Sequence, residues 1–116
     1  ENIAAGIYHL YKQIHKFPDA DRENRVELAL AAYNSGVGRI YDAQSVARYL
    51  NLDPQTWEAV KECLPMLTAK HWRLHLEIWE LGVPNYGYFY GYNETINYVD
   101  DITESYHIFS NFHQDF

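Results

Sequence analysis

Between Ala29 and Ile40 the chain reads ALAAYNSGVGRI, an alanine-rich run that breaks at Asn34-Ser35-Gly36-Val37-Gly38. Alanine favours a helix more than any other residue, and glycine is among the least favourable in a helix interior. The stretch therefore predicts one helix ending near Tyr33 and a second beginning at Val37. Alanines at 29, 31 and 32 leave room for another helix to approach closely. The rest of the chain keeps the same order of helix, short breaker and helix, so the expected fold class is all-α, with about five to six helices.

From Asn2 to Phe17, Ile3, Ile7, Leu10, Tyr11, Ile14 and Phe17 recur at spacings of three and four, one stripe of a helix. Pro18 turns Phe17 away from helical dihedrals, and Asp19 or Asp21 can cap the next helix, Arg22 to Tyr33, with Val26, Ala29, Leu30 and Tyr33 on its face. A third helix is expected over Val37–Leu50. Asp53 and Pro54 look like an N-cap and first helical position for a fourth, whose inner stripe is Trp57, Val60, Lys61 and Leu64. Pro65 separates it from a fifth that stops at Gly82. Twelve residues, GVPNYGYFYGYN, then hold four tyrosines and three glycines, too many breakers for a helix, so a structured loop or short hairpin is expected before the last helix. Asn93 can cap that helix, with Thr95, Val99, Ile102, Tyr106 and Phe109 on one face, and the tail SNFHQDF is expected to fray.

At 116 residues the chain is one domain's worth of sequence, 1–116, and its 47% hydrophobic and 22% charged residues are globular proportions. Nine Lys and Arg against sixteen Asp and Glu, net −7, exclude a surface that tracks nucleic-acid phosphates. No apolar run reaches the roughly 20 residues of a membrane helix. The chain begins at Glu1 without a signal-peptide pattern, which reads as a piece of a longer precursor. One cysteine, Cys63, allows no internal disulfide and reads as a small buried apolar residue.

Three features bear on chemistry. His71 and His75 lie four apart, on one helix face, but Trp72 stands where a zinc hydrolase places its glutamate and no third ligand is near. The pair reads as a half-exposed helix face, with no metal and no cofactor expected. The tyrosine-glycine loop suits stacking against sugar rings, but composition alone favours rings that close a core or pack on a neighbouring domain. Tyr33-Asn34-Ser35-Gly36 reads, on residue chemistry alone, as a core tyrosine followed by a helix C-cap.

ALAAYNSGVGRI also resembles the AYN-G motif of the lytic transglycosylases, the soluble-lytic-transglycosylase and goose-lysozyme-like enzymes that cleave peptidoglycan. ENIAAGIYHLYKQ resembles the helix before that motif, TWEAVKECLPML a segment of the membrane-bound type-F branch, and NETINYVDDITESY the closing ET-x-x-YV helix. Four matches in the right order cover about Glu1 to Ile108, nearly the whole chain. The resemblance implies a lysozyme-like helical lobe with a glycan groove, in which Tyr33 aims its hydroxyl toward the catalytic acid, Asn34 shapes the floor, Tyr98 is a second groove tyrosine and Glu94 a supporting polar residue.

The implied reaction cleaves the β-1,4 bond from N-acetylmuramic acid to N-acetylglucosamine and closes a 1,6-anhydro ring. One glutamic acid of raised pKa protonates the leaving oxygen and then, as the base, takes the proton of the sugar's own 6-hydroxyl. In the family that glutamate lies in an E-S segment followed by G-x-M-Q, both upstream of the ENI-x-x-G helix, and neither segment stands in this chain. Glu27, Glu58, Glu62, Glu77, Glu80 and Glu104 read as solvated helix faces, and Glu1 is terminal. The expectation is thus the C-terminal portion of a catalytic domain, without a catalytic residue of its own and inactive alone. Its partners would be peptidoglycan strands in the bacterial cell envelope, periplasmic or outer-membrane associated. Apolar surface left uncovered at Ile3, Ile7 and Val26 would favour a homo-oligomer or domain swap. A non-catalytic glycan-binding module and a helical protein-interaction domain are the alternative readings.

Overall fold

The run Leu28-Ala29-Leu30-Ala31-Ala32 is buried on every side, which only a helix surrounded by other helices permits. That helix is α2, Arg22–Ser35, and α1 (Ile3–Ile14), α3 (Val37–Tyr49), α4 (Trp57–Cys63) and α6 (Tyr92–Gln114) all pack against it. A short α5, Trp72–Ile78, follows two 3-10 turns at Leu64–Leu67 and Ala69–His71. This computed structural model describes residues 3–114, with side chains over 4–107, and no strand occurs among the described residues. The architecture is the expected all-α lobe. The face expected for α2 was too narrow: the alanines are interior, and Val26 is 41% exposed.

Helix starts follow from local chemistry. Asp21, not Asp19, caps α2, its carboxylate accepting the Asn24 backbone N–H at 2.9 Å. The Asn24 side chain donates back to Asp21, and its Oδ1 accepts the backbone N–H of Trp57 at 2.8 Å, so one amide joins the starts of α2 and α4. The Asp53-Pro54 start is a misreading. The Asp53 carboxylate closes a turn by accepting the Gln55 N–H, and α4 begins at Trp57, where Thr56 accepts the Ala59 N–H and so satisfies an otherwise orphaned donor.

Pro65 does not stop the chain's helical course. The last turn of α4 tightens into a 3-10 turn that includes it, and the break falls at Thr68, whose backbone is extended. The fifth helix ends at Ile78 rather than Gly82, because Trp79 turns extended and buries its ring, and Gly82 lies in the following turn at φ 74°. Asn93 is inside the first turn of α6, which starts at Tyr92. The helical backbone runs on to Gln114, so most of the tail expected to fray is helix. The Phe109 and Ile3 side chains lie outside the described residues.

Phe17, Leu28, Ile40, Val46, Val60, Leu64, Leu67 and Val99 form the centre of the core. Each such side chain contributes about 1.5–3 kcal/mol by leaving water. Cys63 is buried among them, and desolvation pushes its thiol up to about 11.

Candidate functional site

The joint between α2 and α3 places Tyr33 and Asn34. Gly36, at φ 91°, donates its N–H to Ala32 O at 2.8 Å and ends α2, and α3 starts one residue later. A side-chain-bearing residue would be strained in that conformation. Tyr33 and Asn34 thus occupy the last turn of α2, both half-buried.

The second wall comes from α6. The Thr95 hydroxyl, buried, donates to Asn34 Oδ1 at 2.7 Å and fixes the first turn of α6 against the end of α2. One turn further on, Tyr98 stands on the same side of α6. Tyr33 and Tyr98 line one hollow of about 240 Å³, closed on its other side by Gly6, Ile7 and Leu10 of α1. A Cβ placed on Gly6 would meet the Tyr33 hydroxyl at 3.5 Å, so that hydroxyl sits directly over the glycine backbone. Burial pushes the Tyr98 phenol above its ordinary value.

The hollow has apolar walls and two aromatic rings carrying polar tips, a surface that can stack on a sugar ring and bond its hydroxyls. The structure brings Tyr33 and Tyr98 together in the hollow, while Asn34 is not one of its walls and is held beside it by Thr95. Glu94 is exposed and is not a wall of the hollow, though it lies one turn before Tyr98. Sequence reasoning placed Leu10 on the α1 stripe but not at the site, gave Gly6 no role, and put Thr95 on one face of the last helix without its bond to Asn34.

The tyrosine-glycine loop is held from beneath by α3. Asp42, 1% exposed, accepts the Tyr86 N–H at 2.9 Å and also the Asn85 N–H. Arg39 donates to Tyr88 O at 2.7 Å and lies over the Phe89 ring at 5.0 Å from its centroid. A Cβ on Gly38 would stand 2.4 Å from the Tyr86 ring, so this glycine is the ring's seat. His75 is buried beside Trp79 and Tyr88, its Nε2–H donating to Met66 O at 2.8 Å. This corrects the half-exposed histidine face for His75, which belongs to the interior; His71 is half-buried at the position before α5 and makes no side-chain capping bond. Among the described residues no three His, Cys, Asp or Glu side chains are grouped as a metal site would need.

Fold and hollow together define a lysozyme-like helical lobe with a tyrosine-walled groove. Residues 1–53 match the family model described as the Transglycosylase SLT domain. The chain is 37% identical to the membrane-bound lytic murein transglycosylase F of Desulfosudis oleivorans, over 93% of its own length and 22% of that protein's. It is 38% identical to the one from Pasteurella multocida, over 88% of the chain and 19% of the relative, and 33% identical to one from Haemophilus influenzae, over 98% and 22%. By these matches the chain belongs to the lytic transglycosylase family. It spans about a fifth of the length of the curated relatives it matches. No solved structure matches it significantly.

Proposed function

We propose that the chain supplies one side of the glycan groove of a peptidoglycan-cleaving lytic transglycosylase, acting on the β-1,4 bond between N-acetylmuramic acid and N-acetylglucosamine and leaving 1,6-anhydromuramoyl ends. The observation that carries this reading is the single hollow in which Tyr33 of the AYN motif meets Tyr98 of the ET-x-x-YV motif, in a chain related throughout to proteins named as murein transglycosylases. Tyr33 orients the catalytic acid through its hydroxyl, Asn34 fixes the groove floor through its bond to Thr95, Tyr98 stacks on the sugar and Glu94 supports it from the rim. The acid is a glutamate outside these 116 residues, and residues 1–116 form the C-terminal portion of the catalytic domain.

The site of action is the bacterial cell envelope, in keeping with relatives named membrane-bound; no helix among the described residues is long and apolar enough to cross a membrane. The apolar groups left open at Ile7 and Val26, 63% and 41% exposed, are covered by the acid-bearing segment or, in its absence, by a second copy of the chain.

Two measurements test this. The 116-residue chain is expected to bind chitooligosaccharides and to lose that binding on Tyr33→Ala or Tyr98→Ala, while releasing no anhydro-muropeptides from purified peptidoglycan. Joined to the acid-bearing segment of a relative, it should release them. Release by the chain alone would overturn the placement of the acid. Sugar binding that ignores both tyrosines would overturn the groove.

A further inference from the structure

A second hollow, of about 270 Å³, opens beyond the far end of α1, between the Lys16–Asp19 turn and α3. Its floor is aromatic: Phe17 is buried, and its ring lies 6.1 Å from that of Tyr41. Its rim is charged, with Lys16 on one side, Arg48 on the other and Asp19 beside Lys16. In a chain of net charge −7, two of only nine Lys and Arg converge on this one cavity, and neither makes an ion pair or side-chain hydrogen bond among the described residues. Ser45 and Gln44 add polar atoms, already oriented: the Ser45 hydroxyl donates to Tyr41 O, and the Gln44 amide donates to Pro54 O.

We propose that this hollow binds the carboxylate end of a short peptide. A guanidinium and an ammonium facing one cavity select an anion, and the fork of Arg48 matches a planar carboxylate. The half-buried Tyr41 ring, backed by the buried Phe17, takes a small alkyl side chain, for which a compact inorganic anion has no use. Asp19 at the same rim repels a dianion more than a monocarboxylate. The volume falls below the about 300–1,000 Å³ of sites that hold drug-sized ligands, which limits the occupant to one or two amino-acid residues. Peptidoglycan carries short peptides with free carboxylates on its glycan strands, and naming it as the source rests on the function proposed above; the peptide chemistry of the cavity does not.

The test titrates the 116-residue chain with N-acetyl-D-alanyl-D-alanine, with its C-terminal amide and with inorganic phosphate, following the Gln44 and Ser45 resonances by nuclear magnetic resonance. The free acid should bind about tenfold more tightly than the amide or phosphate, and Arg48→Gln or Lys16→Gln should each weaken it by about three- to tenfold. Both side chains are exposed, so the variants should keep the fold and the far-ultraviolet circular dichroism of the unaltered chain. Equal binding of acid and amide, phosphate binding as tight as the dipeptide, or no shift at Gln44 and Ser45 would overturn the proposal. Tyr33→Ala should leave dipeptide binding intact while removing chitooligosaccharide binding, and Arg48→Gln should do the reverse, so failure of the peptide site and failure of the groove are read separately.

Discussion

The two ends of the lobe solve opposite problems. Around α3 the chain closes on itself: Asp42 is buried with two backbone amides on its carboxylate, His75 is buried with its Nε2–H on a carbonyl, and Gly38 leaves its missing side chain's space to a tyrosine ring. At the α1 and α6 end the apolar stripe continues without cover, with Ile7 at 63% and Tyr106 at 66% exposure. The same pattern of spacing produced both faces. What separates them is whether a partner element lies within the chain, and this end is also where the groove tyrosines stand.

That contrast can be broken by substitution. Leu28→Ala, in the closed interior, should cost about 2–5 kcal/mol in urea denaturation, whereas Ile7→Ala at the open end should stay within about 0.5 kcal/mol. Comparable losses would mean that α1 is covered in solution. Next in size, Asp42→Ala leaves two loop amides without an acceptor and should cost about 1–3 kcal/mol, with the loop's amide hydrogens exchanging faster. Gly38→Ala should cost about 1–3 kcal/mol by forcing its new methyl against Tyr86. In a Tyr86→Ala background the same change should cost little, because the clash and its remedy are one pair.

The smallest effect sharpens the comparison through pH. Burial pushes the Asp42 carboxyl above its ordinary 3.8, outweighing the amide bonds that pull it down. The folded chain therefore keeps this proton at pH values where the unfolded chain has released it, and stability from this group falls as pH rises through that window. The stability of the wild type minus that of Asp42→Asn should decline with rising pH just above 3.8 and then level off. A flat or rising difference would show that the carboxylate is not desolvated.

Much of this was legible in the sequence, and the failures share a cause. The break at Gly36, the Asp21 cap and the α1 stripe all depend on residues within a turn of each other, where local chemistry decides. Asp53-Pro54 looked like a helix start because nothing local reveals that Asn24, far away in sequence, supplies a partner to Trp57 N–H instead. The last expected turn of α5 gives way at Trp79, whose backbone turns extended while its ring is buried, a tertiary contact that no local pattern reveals. The groove followed the same division: Tyr33, Asn34 and Tyr98 could be carried over by motif, but Gly6 and Leu10 join them only through the packing of α1 on α2. Gly38 looked like part of the helix break and is instead a tertiary contact, visible only once Tyr86 is folded back upon it.

The bridge through Asn24 also makes one helix lean on another. At seven residues α4 is far shorter than the about 12–15 that an isolated helix needs to be even marginal in water. Its first amide is received by a side chain 33 positions earlier, and that side chain is aimed only when the Asp21 cap has formed. The stability of α4 thus depends on the start of α2, so the cap at Asp21 holds two helices rather than one.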